Sequence, residues 1–115
     1  MDDLLIETIE SYNDYLDKVM PGCLKIAENL RQDEIESALQ MILQFSEGMD
    51  WLVQACNLFV RNEVRVSLEV ETIHEFLNEV NNGLEMQDYV LVADMFEYEV
   101  APFFGKAQRV ESSKH

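Results

Sequence analysis

The sequence predicts an all-α protein, an up-down-up-down antiparallel four-helix bundle whose first helix is kinked at Pro21. Three observations predict it. Apolar residues recur at three- and four-residue spacing, which puts them on one face of a helix rather than alternating along a strand. Only two prolines and four glycines are present, too few for a sandwich or barrel that turns every ~8–12 residues. The breaks between the periodic segments are short, and short loops between long helices force antiparallel neighbours.

The first segment carries Leu5, Ile9, Tyr12, Leu16, Val19, Cys23, Ile26 and Leu30 at strict 4-3 spacing, a stripe of the a/d kind. Its phase runs unbroken past Pro21, so a continuous helix kinked at Met20-Pro21-Gly22 is expected, with two shorter helices as the alternative. Asp33 and Glu36 have the spacing of a capping box, ending helix 1 near Leu30–Gln32 and starting helix 2. That helix carries Ile35, Ala38, Ile42, Phe45, Met49, Leu52, Cys56 and Phe59 and should run to about Asn62. The pattern lapses over Arg61–Arg65. Ser67 is the expected N-cap of helix 3, whose stripe is Val70, Ile73, Leu77, Val80 and Leu84, and Asn81-Asn82-Gly83 its expected end. Asp88 starts helix 4, with Tyr89, Ala93, Phe96, Val100, Phe103, Ala107 and Val110 inward, fraying after about Gln108. One domain over residues 1–110 and a flexible polar tail over 111–115 result.

Charge narrows the function classes. Eight Lys and Arg against 23 Asp and Glu leave a net −15. That argues against nucleic acid, which is met by a basic face, and against an anionic membrane surface. No apolar run approaches the ~18 residues of a spanning helix, and Met1-Asp2-Asp3 lacks the basic start of a signal peptide. A cytoplasmic location is expected. Cys23 and Cys56 lie within apolar stripes, with no C-x-x-C spacing, and read as small hydrophobes rather than a disulfide pair or metal ligands.

Chemical motifs are sparse. Glu71-Thr72-Ile73-His74 has the E-x-x-H form that carboxylate-bridged di-iron bundles use twice, but it occurs once here. Cys56 and His74 fall at similar heights of a hairpin between helices 2 and 3, yet a thiol on a core stripe is held protonated and inert. Glycine-rich phosphate loops and nucleophile elbows are absent. Neither a catalytic, a cofactor nor a metal site is expected, and the chain reads as non-enzymatic. In outline, an acidic bundle with one helical histidine resembles histidine-phosphotransfer domains. Their histidine is followed by Lys at +3 and Gly at +4, where this chain has Leu77 and Asn78. A phosphotransfer-like or metal-binding role for His74 is the alternative reading.

Two features point to partners. No Lys or Arg occurs between Val66 and Gly105, a stretch holding Glu69, Glu71, Glu75, Glu79, Glu97 and Glu99, so helices 3 and 4 should present a negative face that steers basic partners. Beyond the core stripes, Trp51, Ala55 and Leu58 form an extra apolar line on helix 2, and Leu91, Met95 and Tyr98, with Phe104 nearby, form another on helix 4. Such surplus is either a wide core or an interface. The expected function is a non-catalytic interaction module, adaptor or chaperone-like, that forms a homodimer and engages a protein partner. Small helical chaperones and adaptors of bacterial secretion and signalling resemble it in shape and acidity.

Overall fold

The computed structural model describes residues 3–111; of the tail expected over 111–115, all but Glu111 lies outside them. Four antiparallel helical arms form the bundle: α1 (Asp3–Arg31), α2 (Ile35–Arg61), α3 (Val70–Glu85), and a fourth arm of α4 (Tyr89–Met95), a π-helical segment (Phe96–Val100) and α5 (Ala101–Gly105). All eight α1 stripe residues are buried, as are seven of the eight on α2, with Ile35 half-buried at the start. Heptad spacing therefore placed the core faces of α1 and α2, whereas on α3 Val70, Leu77 and Leu84 are half-buried and Phe76 is buried beside Ile73 and Val80. Aromatic edges lock it between helices: Tyr12 against Phe59 and Phe45 against Phe96, each with ring centroids 5.2 Å apart and nearly perpendicular.

Helix 1 is continuous through Pro21. Its solvent-side position leaves the packed stripe in phase, and the two-helix alternative does not occur. The second proline acts differently. Pro102 has no N–H for the Tyr98 carbonyl, and the chain before it widens, so that the Ala101 N–H donates to the Phe96 carbonyl five residues back. The extra residue rotates the next turn of helix, bringing Ala101 and Phe104 fully into the core and leaving Phe103 half-buried. The fourth arm then ends at Gly105, short of the expected Gln108.

The turns correct several expectations. Asp33 does not cap α2. It adopts φ 62° and closes α1, its N–H donating to the Leu30 carbonyl while that of Glu34 donates to Asn29. The paired bonds form a Schellman motif. Glu63 (φ 59°) repeats it with bonds to Val60 and from Val64 to Phe59. Gln87 (φ 54°) repeats it again, with bonds to Leu84 and from Asp88 to Gly83. All three turns thus place a side-chain-bearing residue where glycine is the usual occupant. Gly83 is instead inside α3, where a Cβ would come within 2.7 Å of Val92 Cγ2. It lets α4 approach rather than ending the helix. Ser67 caps nothing, since α3 begins at Val70 with Glu69 as its flanking residue. Asp88 does cap α4, its carboxylate accepting from the Leu91 N–H at 3.1 Å.

Between Glu63 and α3 the chain is non-helical, and its side chains alternate. Val64, Val66 and Leu68 pack against the core while Arg65, Ser67 and Glu69 face solvent, the period of extended backbone. Glu69 itself is extended, with φ −88° and ψ 102°. This strap, unanticipated from the heptads, covers a stretch that α3 is too short to reach. A second strap lies beyond α5. The buried Asn13 carboxamide donates to the Val110 carbonyl at 2.9 Å and accepts from its N–H at 2.8 Å, pinning Val110 into the core.

Two outcomes are expected in urea denaturation. Glu63→Gly and Gln87→Gly should each stabilise by roughly 1 kcal/mol, because glycine escapes the ~1–2 kcal/mol penalty of a left-handed residue with a Cβ. Gly22→Ala, open on all sides, should stabilise by about 0.5–1 kcal/mol, whereas Gly83→Ala should destabilise by roughly 1–3 kcal/mol through overlap with fully buried Val92.

Candidate functional site

The acidic face is built by α3. Glu71, Glu75 and Glu79 are spaced by four on its outer side and all are exposed. The inner side is held by buried Ile73, Phe76, Val80 and Gly83, so the carboxylates have no route inward. Glu69 and Glu99 extend the charge at one end, both exposed, and Glu97 is half-buried. Arg31 at the end of α1 neutralises the other end. Its guanidinium pairs with Glu97 and with Asp94 at 2.6 Å, and lies 5.9 Å from the Tyr98 ring centre. Burial works against that charge, but the hydrogen bond donated to Asp94 and the charges of Glu97 and Asp94 together outweigh it and raise the Arg31 pKa. Among the described residues, no cation pairs with Glu69, Glu71, Glu75, Glu79 or Glu99.

The extra apolar lines divide. Ala55, Met95 and Phe104 are core residues, 4%, 3% and 3% exposed, so they cannot form the interface line expected of them. Phe104 is turned inward by the π-helical segment, and Met95 lies on a broad buried face with Val92, Ala93 and Phe96. Ala55 sits on the similarly broad lower part of α2, between Leu52 and Phe59. Trp51 and Leu58 are half-buried, and Leu91 and Tyr98 are exposed. Tyr15 takes an edge of Trp51, ring centroids 6.2 Å apart. Its ring occupies the space a side chain at Gly48 would need. With Ser11 these residues bound an open hollow of about 300 Å³.

Nucleophilic and ligating groups are scattered. His74 is exposed on α3 beside Glu71 and Glu75, while Cys56 is buried beneath Tyr12 and Phe59 in the core, and no hydrogen bond joins the two. No group of three or more His, Cys, Asp or Glu among the described residues is placed to hold a metal ion. Both cysteines are free and buried. Burial pushes the Cys23 thiol from 9.0 up to about 12, and raises Cys56 despite an opposing contact from Tyr12. The fully buried Tyr12 hydroxyl is raised by burial and then by Cys56, and it has no hydrogen-bond partner among the described residues.

One surface was missed by the heptad reading. The strap, α3 and α5 enclose an open groove of about 500 Å³ with Leu68, Phe76, Pro102 and Phe103 among its apolar walls and Glu69, Glu99 and Lys106 at its rim. Phe76 and Phe103 meet edge to face at 5.2 Å beside it. The signal for it was legible in Val64–Val70, where apolar and polar residues alternate out of phase with any helix.

These features define an acidic helical bundle with open surface grooves. The chain belongs to the family described as "Domain of unknown function (DUF8042)", whose profile matches residues 7–110. No curated protein and no solved structure matches it. No helix among the described residues is long and apolar enough to cross a membrane.

Native-state thiol labelling checks the burial directly. Neither cysteine should react with a thiol reagent near neutral pH until the chain is unfolded. Because the folded Cys23 thiol titrates above its unfolded value, its contribution is complete below about pH 9 and is lost as pH rises toward 12. Alkaline destabilisation in that window should be shallower in Cys23→Ala.

Proposed function

We propose that this chain is a non-catalytic interaction module, adaptor- or chaperone-like and cytoplasmic, that self-associates and engages a basic protein partner through the α3–α4 face. The observation that carries the reading is the row Glu71, Glu75 and Glu79, exposed and without a cation partner among the described residues. A carboxylate row spaced by four is mutually repulsive on an isolated helix. It costs stability unless an outside charge offsets it, and it accelerates encounter with basic surfaces. Of the extra apolar lines, Trp51 has an edge covered by Tyr15, while Leu91 and Tyr98 stay exposed, Tyr98 beside Arg31.

The test is affinity capture from the source organism with wild type and a Glu71→Lys/Glu75→Lys/Glu79→Lys variant. A basic partner should be retained by the wild type at low salt, lost from the variant, and eluted as ionic strength shortens the screening length to below ~8 Å. Equal retention by both proteins would refute the acidic-face reading. The variant should also be no less stable than wild type, because its substitutions touch no core residue.

A further inference from the structure

The strap between α2 and α3 has features that a plain connector does not need. Among the described residues, the backbone N–H and C=O groups of residues 65–68 make no hydrogen bond to backbone or side chain. The segment is nonetheless held in place, because Val64, Val66 and Leu68 pack against the core. An extended stretch with a fixed inner face and an unpaired edge is a template for a further strand. The groove beside Leu68 leaves about 500 Å³ open along it.

What the edge accepts is written in its own residues. Arg65-Val66-Ser67-Leu68-Glu69 is complementary to itself when reversed about Ser67. In an antiparallel pair centred there, Arg65 faces the other copy's Glu69 on the solvent side, Val66 faces Leu68 on the core side, and the two Ser67 residues face each other. Opposite charges directly across a strand pair attract, and like charges repel. Moving the centre to Val66 sets Glu63 against Glu69, and moving it to Leu68 runs the pairing into α3. Any centre between residues would oppose core-facing to solvent-facing side chains. Charge favours the same place. Residues 61–69 hold Arg61, Glu63, Arg65 and Glu69 and are neutral, in a chain of net −15. Neither arginine enters a salt bridge among the described residues.

We infer that the strap is an interface between two copies of this chain, its edge pairing antiparallel with the same edge of the second copy about a two-fold axis at Ser67. This rests on the reading of the chain as a self-associating module and assigns that association a surface and a register.

The full chain carrying Ser67→Cys tests the register, since the native thiols are buried and facing residues of such a pair fall within the ~4.4–6.8 Å Cα separation a disulfide spans. Under mild oxidation it should form a covalent dimer, while the control Ser37→Cys, exposed on α2, should not. In sedimentation, Arg65→Glu and Glu69→Arg should each weaken dimerisation by about tenfold, the size that two symmetric cross-strand pairs supply. The Arg65→Glu/Glu69→Arg double variant should recover it. Circular dichroism confirms that each variant is folded. A wild type that sediments as a dimer while Ser67→Cys fails to cross-link would overturn this interface and leave self-association standing. So would failure of the charge swap to rescue. A wild type monomeric at every concentration would overturn both, leaving the edge to an extended segment of another protein.

Discussion

The structure depends on a mismatch of lengths. Helices α1 and α2 span 29 and 27 residues, but α3 has 16, and the fourth arm runs only from Tyr89 to Gly105. At ~1.5 Å per residue the first pair is roughly 15 Å longer than the second. Four equal helices would close their own core. Here the α1–α2 pair extends beyond the other two arms, and Leu5, Ile9 and Phe59 still have to be buried. The two straps solve this. One inserts Val64, Val66 and Leu68, and the other is fastened through Val110 to the Asn13 carboxamide. An asparagine able to satisfy both backbone groups of one residue holds non-helical chain against a helix without a sheet.

The same constraint separates the surfaces. Where the four arms overlap, the outside is helical and strongly acidic, with Arg31 meeting Asp94 and Glu97 and the α3 carboxylates facing away. Where only two arms and the straps remain, the stretch 61–69 is neutral and its backbone is open, although α1 still carries exposed Asp3, Glu7 and Glu10 there. A protein of such negative charge would repel copies of itself over most of its surface. The proposed self-pairing at a neutral edge and the proposed basic partner at the acidic face therefore call on separate surfaces of one small bundle.

Fold class, helix order and the core faces of α1 and α2 were legible because heptad spacing reports helical burial. On α3, by contrast, only Ile73 and Val80 of the expected stripe are fully buried, and Phe76 lies deeper than Leu77. The spacing also failed where the backbone changes. The π-helical segment before Pro102 inserts a residue, and no periodic reading could tell that Phe104, rather than Phe103, would be the deeper residue. The caps at Asp33 and Ser67 failed for another reason. Side-chain capping and left-handed closure draw on overlapping residue types, and Asp33 took the second role. The Asn81-Asn82-Gly83 stop failed because glycine serves close approach as well as turning, and Val92 lies over Gly83. The acidic face was legible from composition alone. The strap was legible only as alternation too short to displace a helical interpretation, and the Asn13–Val110 pairing leaves no sequence signal at all.

That pairing joins residues 97 positions apart, which orders events during synthesis. Chains emerge from the ribosome N-terminus first, so the α1–α2 hairpin is exposed long before Val110 exists. Until Val110 has emerged, Asn13 lacks its backbone partner and the apolar end of the hairpin lacks that cover. Nascent chains stalled before residue 110 therefore carry a sticky surface that finished molecules hide, a surface on which cellular holding factors can act. Arrival of Val110 is itself the step that conceals it.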